Sequence, residues 1–252
     1  MIISIINQKG GTGKTTTVVN LGAYLGQLNK KVLVIDLDPQ ANTTSGIGFF
    51  EKNLLGIYEV LSGQKKIEEV IQPSKFRNLY LIPANENLAG ANVELVNEPE
   101  RELVLAKQLG DALNQYDYML IDTPPSLGLL TINSLAAAHQ VIIPVQAEYY
   151  ALEGLSQLIQ TIKLVRQNLN AQLNILGALV TMYDERNRLS REVLEELYKN
   201  FPGRIFRTVI PRNVRLAEAP SFGKTILEYA PNSKGAIAYQ KLARELLNLL
   251  IS

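Results

Sequence analysis

Residues 8–16 read Gln8-Lys9-Gly10-Gly11-Thr12-Gly13-Lys14-Thr15-Thr16, a glycine-rich segment that follows a short apolar run, Ile2 to Ile6. The apolar run is typical of a buried strand, and the pattern after the segment predicts a helix from about Lys14 to Leu28. Glycines let the backbone curl until several N–H groups point at one anion, and the start of the helix adds its positive end. The segment therefore predicts a phosphate-binding loop between a strand and a helix.

The side chains of this loop suit the phosphate chain of a nucleotide together with magnesium. Lys14 supplies a positive charge for the β- and γ-phosphates, and the Thr15 hydroxyl is placed to ligate Mg²⁺. The G-x-G-x-x-G spacing of dinucleotide-binding proteins is absent. A glycine-rich turn with an incidental lysine is the alternative, but Gly-Lys-Thr-Thr at a helix start after a buried strand favours the phosphate loop. The expected nucleotide contacts are Gly10, Gly11, Thr12, Gly13, Lys14, Thr15 and Thr16.

Further short apolar runs alternate with helical patterns along the chain. Such an alternation predicts an α/β fold, with a mainly parallel β-sheet flanked by helices on both faces, as in P-loop NTPases. The clearest helical pattern runs from Leu152 to Leu169, whereas the segment from about 47 to 101 is less regular and is expected to form peripheral helices. We expect a single domain over residues 1–252. The later predicted strands are Lys31 to Ile35, Tyr118 to Ile121, Val141 to Val145 and Ile175 to Val180.

The composition excludes several classes of protein. Of the 252 residues, 46% are apolar and 19% are charged, which provides a sizeable core and too few charges for a disordered chain. Because the formal net charge is +1, any binding of nucleic acid must come from a local patch. The lack of cysteine excludes disulfides, thiolate metal sites and a cysteine nucleophile. We expect neither a signal peptide nor a membrane-spanning helix, since no apolar run approaches about 18 residues.

The loop departs from the usual phosphate-loop pattern at its first position. The pattern G-x-x-x-x-G-K-[ST] has glycine where this chain has Gln8, and Lys9 is an additional lysine. This deviant form, Lys-Gly-Gly-x-Gly-Lys-Thr-Thr, makes the chain resemble the ParA/MinD family of ATPases. Four other segments make it similar to the ParA branch, the chromosome- and plasmid-partition ATPases often called Soj. They are Asp36 to Asn42 (DLDPQAN), Ile121 to Ser126 (IDTPPS), Glu148 to Gly154 (EYYALEG) and Ile210 to Leu216 (IPRNVRL).

The resemblance implies an ATPase that uses ATP and Mg²⁺ as a timed switch. ATP would join two copies of the chain into a sandwich homodimer, and that dimer would bind double-stranded DNA without sequence preference. A ParB-type centromere-binding protein would stimulate hydrolysis and return the dimer to monomers. The resemblance also implies a cytoplasmic, nucleoid-associated protein with no membrane partner. The few residues before the loop leave no room for the N-terminal DNA-binding domain of longer plasmid relatives, so none is expected.

Three residues are expected to serve hydrolysis: Lys9, Lys14 and Asp38. The resemblance implies that Lys9 reaches the partner's ATP across the dimer interface, where it offsets the charge of two facing nucleotides; a solvated loop lysine is the alternative. Asp36 and Asp38 follow the second predicted strand, and a carboxylate there can orient the attacking water or hold a water on Mg²⁺. By resemblance Asp38 is the residue required for hydrolysis, with Asp36 as second choice. Asp38-Pro39 is also a turn-forming pair.

Two further sites complete the expected nucleotide pocket. Asp122 ends a predicted strand, as a Walker B aspartate does, and is expected to contact Mg²⁺ through water; capping the following loop is its alternative role. The expected metal set is therefore Thr15, Asp38 and Asp122. Pro211 and Asn213 match the segment that holds the adenine base in the family, and an amide offers both a donor and an acceptor to a base edge.

Positive residues cluster late in the chain, and nearby acids partly balance them. Composition alone favours a solvated face. The resemblance instead assigns Arg186 and Arg215 to positions that contact DNA, and contacts between arginine and phosphate need no base readout. The basic residues are Arg186, Arg188, Arg191, Arg204, Arg207, Arg212 and Arg215, and the acids are Asp184, Glu185, Glu192, Glu195 and Glu196.

The C-terminal run from Tyr239 to Ile251 is amphipathic. A membrane-binding tail would favour a rival, a MinD-like regulator of division-site placement, but such a tail needs a polar face rich in lysine and arginine. The run has only Lys241 and Arg244, so a helix docked on the sheet is expected. A second rival is a metabolic or redox P-loop enzyme, whose iron–sulfur version the lack of cysteine excludes. His139, the single histidine, is assigned no function.

Overall fold

A seven-stranded sheet forms the centre of the computed structural model, which describes residues 1–51, 54–148 and 154–251. Its strands are β1 (Ile2–Ile5), β2 (Val32–Asp36), β3 (Gln72–Pro73), β4 (Leu79–Ile82), β5 (Tyr118–Asp122), β6 (Gln140–Gln146) and β7 (Asn174–Thr181). They lie in the order β3-β4-β2-β5-β1-β6-β7, and every neighbouring pair is parallel except β3 with β4. The predicted mainly parallel sheet is confirmed.

Helices connect the strands and cover both faces of the sheet. Within the described residues they are α1 (Lys14–Gln27), α2 (Asn42–Ile47), α3 (Ile57–Leu61), α4 (Ile67–Val70), α5 (Leu88–Glu94), α6 (Val104–Leu109), α7 (Leu129–Ala137), α8 (Leu155–Asn168), α9 (Arg188–Asn200), α10 (Val214–Glu218), α11 (Ile226–Tyr229) and α12 (Lys234–Ile251). Their lengths range from a single turn to the 18 residues of α12. The predicted start of α8 at Leu152 lies outside the described residues.

Two hydrophobic clusters fill the space between the sheet and its helices. Successive strand residues point to opposite faces, so Ile3 and Ile5 join the cluster under α1 and α12, whereas Ile2 and Ile6 join the cluster under α3 to α9. Because both faces are covered, the strands are apolar throughout rather than alternating. The phosphate loop lies at the carboxyl end of β1, and the strands on the two sides of β1 are reached by connections that run in opposite directions along the sheet. Ligands of such sheets bind at this switch point.

The segment from 47 to 101 is only partly as predicted. It contains the peripheral helices α3, α4 and α5, but it also contributes β3 and β4. Strand β4 pairs in parallel with β2, with Val34 opposite Leu81, and so extends the sheet. The prediction missed β4 because four residues are too short a run to distinguish a buried strand from an apolar turn of helix. The bounds of the predicted strands shift by no more than one residue at either end.

The C-terminal helix packs on one face of the sheet, as the sequence predicted, and there it also contacts the first helix. Tyr239, Leu242 and Leu246 of α12 are buried in the same cluster as the apolar residues of α1. The Tyr239 hydroxyl lies 3.2 Å from the Thr17 hydroxyl, so the two helices share a buried polar contact in addition to their apolar one. No helix in the described part of the chain is long and apolar enough to cross a membrane.

Candidate nucleotide-binding site

The phosphate loop curls between β1 and α1. Gly11 and Gly13 have φ angles of 73° and 88°, which L side chains rarely adopt, so these two positions require glycine. The Lys14 side chain is buried, and its Nζ donates a 3.3 Å hydrogen bond to the Lys9 carbonyl oxygen at the start of the loop. The first backbone N–H groups of a helix have no partner within it, so the start of α1 leaves donors available to an anion.

Two neighbouring elements hold the loop in place. The Thr181 hydroxyl, at the end of β7, donates a 2.8 Å hydrogen bond to the carbonyl oxygen of Thr12. Gln8, which replaces the usual glycine, donates from Nε2 to the Gly154 carbonyl oxygen at 2.8 Å. A Cβ at Gly154 would lie 2.0 Å from the same Nε2, so a side chain there would displace the Gln8 amide from this contact. Gly154 is the one described residue of the EYYALEG segment after Glu148, because 149–153 lie outside the described residues.

Asp122 is fully buried beneath the loop, and only one of its two carboxylate oxygens accepts hydrogen bonds. The hydroxyls of Thr15 and Thr43 each donate a 2.7 Å hydrogen bond to its Oδ2. Its Oδ1 is buried and has no hydrogen-bond partner. Burial raises the pKa of Asp122 to about 6, because a charge is poorly solvated there. A divalent cation beside Oδ1 would supply the missing partner, and a carboxylate with a threonine hydroxyl is an oxygen donor set that suits Mg²⁺. The residues present therefore fit a magnesium site.

Charged groups converge on this point. Burial lowers the pKa of Lys14, and the nearby carboxylates of Asp122 and Asp38 partly oppose that effect. The structure thus brings together three residues that the sequence singled out separately: Lys14, Asp38 and Asp122. Among the described residues no group of three or more acidic or histidine side chains is arranged to hold a metal by itself. A site here would accordingly need Thr15 and the phosphates as additional ligands.

Asp36 and Asp38 have different surroundings. Oδ2 of the fully buried Asp36 accepts hydrogen bonds from Thr44 N and Oγ1 at 2.9 and 2.8 Å, and its Oδ1 accepts one from Asp38 N at 3.1 Å. Burial, and then the neighbouring Asp122, raise the pKa of Asp36 to about 7. Asp38 accepts one 3.0 Å hydrogen bond, from Gln40 N to Oδ1. Asp36 therefore positions the loop between β2 and α2, whereas Asp38 retains a second oxygen for other partners.

A cavity of about 370 Å³ adjoins the phosphate loop. Pro211 and Asn213 line it, as does Gly13, so the structure places the expected base-binding residues next to the phosphate loop. Asn213 Oδ1 accepts a 2.9 Å hydrogen bond from Arg215 N and so caps α10. The cap uses one of the two acceptor positions of this oxygen, and Nδ2 donates no hydrogen bond within the described part of the chain, so Asn213 keeps both a donor and an acceptor.

The sequence did not single out several residues that shape this site. Thr43 and Thr44 hold the two buried aspartates, and Thr181 holds the loop. Met182 lines the base cavity with a φ angle of 51°, an uncommon conformation for a residue other than glycine. A threonine pair directly after the DLDPQAN segment was the available signal for Thr43 and Thr44. Nothing local in the sequence marks Thr181 or Met182.

The remaining expected site residues lie on the surface. Lys9 is half-buried, and its amine forms no hydrogen bond or ion pair within the described part of the chain. Arg186 contacts Asp184 through two hydrogen bonds of 3.1 and 3.0 Å. Arg215 donates a 2.9 Å hydrogen bond to Glu218. Both arginines thus have acidic partners on the same chain; the sequence included Asp184 among the balancing acids but not Glu218.

Comparison with known proteins assigns these features to one family. Residues 1–175 match a family profile described as an AAA domain. The chain is 51% identical over 247 residues to the chromosome partitioning protein ParA of Myxococcus xanthus, an alignment that covers 98% of this chain and 87% of that protein. It is 52% identical over 245 residues to the sporulation initiation inhibitor protein Soj of Bacillus subtilis, with 97% of each chain covered.

Solved structures have the same architecture. Cobyrinic acid a,c-diamide synthase from Mycobacterium smegmatis, solved with bound ADP and magnesium, matches with a TM-score of 0.88 and 38% identity, over 100% of this chain and 95% of that one. The cell division ATPase MinD of Pyrococcus furiosus matches with a TM-score of 0.80 and 29% identity, over 98% of both chains. The parallel sheet and its loop thus define a P-loop nucleotide-binding protein. The chain belongs to the ParA/Soj family of chromosome-partitioning ATPases.

Proposed function

We propose that this chain binds ATP with Mg²⁺ and hydrolyses it in order to switch between DNA-bound and free states. The observation that carries the proposal is the hydrogen bond from Thr15 to the buried Asp122 beneath the phosphate loop, with Oδ1 of Asp122 still lacking a partner. Binding of the nucleotide rests on Lys14, which has no carboxylate in hydrogen-bond contact and is therefore available to the β- and γ-phosphates. Bound magnesium would polarise the terminal phosphate.

Different residues of the chain have different roles in binding and hydrolysing ATP. The loop and the start of α1 direct N–H groups at the phosphates, so charge that develops on them in the transition state is stabilised. Asp38 is the residue we assign to orienting the attacking water, because it lies beside Lys14 and keeps one oxygen free of the hydrogen bonds described. Pro211 and Asn213 hold the base, and the Asn213 amide offers it a donor and an acceptor. Asp36 is a positioning residue, which fixes the loop that carries Asp38.

We assign the unpaired amine of Lys9 to a second copy of the chain. Two copies that face each other across their ATP molecules bring many negative charges together, and a lysine from each side offsets part of that charge. Lys14 is directed inward, whereas the Lys9 side chain is half-buried at the entrance of the loop. Lys9 is thus the loop lysine able to leave its own site, and it would complete the site of the partner.

The ATP dimer is the form to which we assign DNA binding. The chain has a formal net charge of +1, so a single copy has little general attraction for DNA. Two copies would present two sets of Arg186 and Arg215, and the number of phosphate contacts would double. The loops that carry these arginines are neighbours, since Arg212 N donates a 3.0 Å hydrogen bond to Tyr183 O. A ParB-type centromere-binding protein would stimulate hydrolysis and release the dimer from the nucleoid.

The decisive test compares DNA binding with ATP, with ADP and without nucleotide. The Asp38→Ala variant is included because it should hold the ATP state long enough to measure. Retention of random-sequence duplex DNA with ATP alone, together with dimerisation in analytical ultracentrifugation, is the expected result. Equal DNA binding in all three nucleotide conditions contradicts the switch. Binding of ATP-loaded protein to anionic vesicles but not to DNA favours the MinD-like rival instead.

A further inference from the structure

A second basic surface lies away from Arg186 and Arg215. The segment after α9 and the exposed side of α12 form a groove of about 650 Å³. Four cationic side chains line it, and all four are exposed. We call these four residues the basic groove: Arg204, Arg207, Lys241 and Arg244. The groove brings together basic residues that are more than 30 positions apart in the sequence.

The fold builds the groove from the edge of the sheet and one helix. Ala178 N donates to Arg204 O and Phe206 N donates to Ala178 O, both at 2.9 Å, so the segment runs alongside β7. Glu245 then joins this segment to α12, because its two carboxylate oxygens accept from Arg207 N and Thr208 N at 2.7 and 2.9 Å. The groove is therefore a fixed feature of the fold.

The groove carries a net positive charge, since four cationic side chains face one carboxylate. Its four cationic side chains take part in no ion pair among the residues that the structure describes, whereas Arg186 and Arg215 each have a carboxylate partner. Glu245 is the single acid in the lining, and both of its oxygens are used by backbone N–H groups. Arg186 and Arg215 must exchange a carboxylate for a phosphate when they bind DNA. The basic groove needs no such exchange.

We propose that the basic groove binds the phosphate backbone of double-stranded DNA as a second contact region. The inference rests on the proposed DNA-binding function and adds residues to it. Long, flexible basic side chains without base-directed partners suit contacts to phosphate, which position a duplex without reading its sequence. The second copy in the ATP dimer would supply another such groove, so the number of phosphate contacts per dimer would rise again.

A membrane surface is the competing occupant, and the described side chains of α12 disfavour it. A helix that lies on a bilayer needs a continuous exposed apolar face beside its basic residues. Along α12 the described large apolar side chain with substantial exposure is Ile237, at 45%, while Leu242 and Leu246 are buried against α1. The groove thus offers charge without an apolar face, which matches DNA better than lipid.

The salt dependence of DNA binding tests the groove directly. Wild type, Lys241→Gln/Arg244→Gln and Arg204→Gln/Arg207→Gln are loaded with a non-hydrolysable ATP analogue, and binding to a random-sequence duplex is measured by fluorescence anisotropy at several salt concentrations. Each lost phosphate contact lowers the slope of log K against log salt by about 0.9, so each double variant should lose about 1.8 per copy and bind more weakly at low salt. Basal ATP hydrolysis should stay at the wild-type rate.

The matched control is Lys66→Gln/Lys107→Gln, which removes the same charge from the opposite side of the sheet, where α4 and α6 pack. It should keep the wild-type slope. If the groove variants share the slope and affinity of this control, the groove proposal is wrong and the proposed function stands. If wild type with ATP does not bind DNA at all, the proposed function itself has failed. Vesicles of anionic phospholipid form the last arm, and loss of vesicle binding with unchanged DNA binding would overturn the assignment to DNA.

Discussion

The hydroxyl of Thr15, in the first turn of α1, donates a 2.7 Å hydrogen bond to Oδ2 of Asp122 at the end of β5. The contact joins the phosphate loop to a neighbouring strand through two side chains that are 107 positions apart. The contact thus holds the hydroxyl and the carboxylate, the two groups we assign to Mg²⁺, next to each other. The preorganisation lowers the cost of assembling the site when the nucleotide arrives.

Thr15→Ala should weaken the use of magnesium without unfolding the protein. The substitution removes the hydroxyl that we assign to Mg²⁺ and one donor to Asp122, while Thr43 still donates to the same oxygen. A hydrogen bond to a charged group contributes about 1.5 kcal/mol or more, so the Mg²⁺ concentration for half-maximal hydrolysis should rise about tenfold or more. Thr15→Ser restores the hydroxyl and should recover most of the loss. A Thr15→Ala enzyme with the wild-type magnesium requirement contradicts the assignment.

Lys14→Ala should lower ATP affinity by about 10- to 100-fold, because the lost charge-assisted hydrogen bonds contribute about 1.5–3 kcal/mol. The Lys14 amine contacts only the Lys9 carbonyl oxygen in the described hydrogen bonds, so the fold should survive its removal. Isothermal titration calorimetry with Mg-ATP measures the effect. Lys107→Ala, at an exposed lysine of α6, is the control and should bind ATP normally. Equal affinities for Lys14→Ala and wild type would remove the basis for the phosphate-loop assignment.

Asp38→Ala should bind ATP and form the dimer but hydrolyse ATP far more slowly. The Asp38 carboxylate accepts a single hydrogen bond, from Gln40 N, within the described structure, so removal of this side chain should change the melting temperature little. Single-turnover measurements separate the rate of hydrolysis from binding, and light scattering follows the dimer. A variant that remains monomeric with ATP, or that turns over at the wild-type rate, rules out the role given to Asp38.

Asp36 should make the nucleotide-free protein less stable as the pH rises. Its pKa is raised to about 7 in the folded state, whereas an unfolded aspartate titrates near about 3.9. Between these values the folded state holds a proton that the unfolded state lacks, so the free energy of unfolding falls as pH increases through this window. Asp36→Asn keeps an acceptor for Thr44 and should flatten that fall. Urea unfolding at pH 5 and pH 8 measures the difference, and a pH dependence identical to that of wild type would exclude Asp36 as its source.

Glu218→Gln should strengthen DNA binding, and Arg215→Gln should weaken it. Glu218 holds the guanidinium of Arg215 at 2.9 Å, so neutralising the acid leaves the arginine free for a phosphate. Surface ion pairs of this kind contribute about 0–1 kcal/mol, so a gain of up to about fivefold is expected. Filter binding with ATP measures both variants. If the DNA affinities of the two variants change in the same direction, or if neither changes, Arg215 does not contact DNA.

The sequence predicted the fold well because its strands are buried on both faces. Apolar runs such as Val141 to Val145 stand out from the polar segments beside them, and the glycines of the loop mark the turn between β1 and α1. Strand β4 escaped because Leu79–Ile82 is short and the pairing that stabilises it is with β2, more than 40 positions earlier. Local patterns do not contain such a contact.

The sequence predicted which residues form the site but not the hydrogen bonds and ion pairs between them. The residue types of the loop, Asp38 and Asp122 follow from motifs, but the choice between Asp36 and Asp38 depends on which carboxylate the Thr44 hydroxyl and N–H occupy. In the same way, the pairing of Arg215 with Glu218 appears only when the surface loops are placed. The sequence prediction thus identified the residue types of the site but not their partners from distant parts of the chain.

The C-terminal helix contributes side chains to both the base cavity and the basic groove, and the contact between Tyr239 and Thr17 ties it to α1. Tyr239 lines the base cavity, and Lys241 and Arg244, less than two turns further along α12, line the basic groove. Equilibrium coupling between two ligands is reciprocal, so any factor by which ATP raises the affinity for DNA is also the factor by which DNA raises the affinity for ATP. A copy of the chain that lies on DNA would then bind ATP more tightly than a copy in free solution. The fraction of copies that hold ATP would accordingly be higher on the nucleoid than away from it.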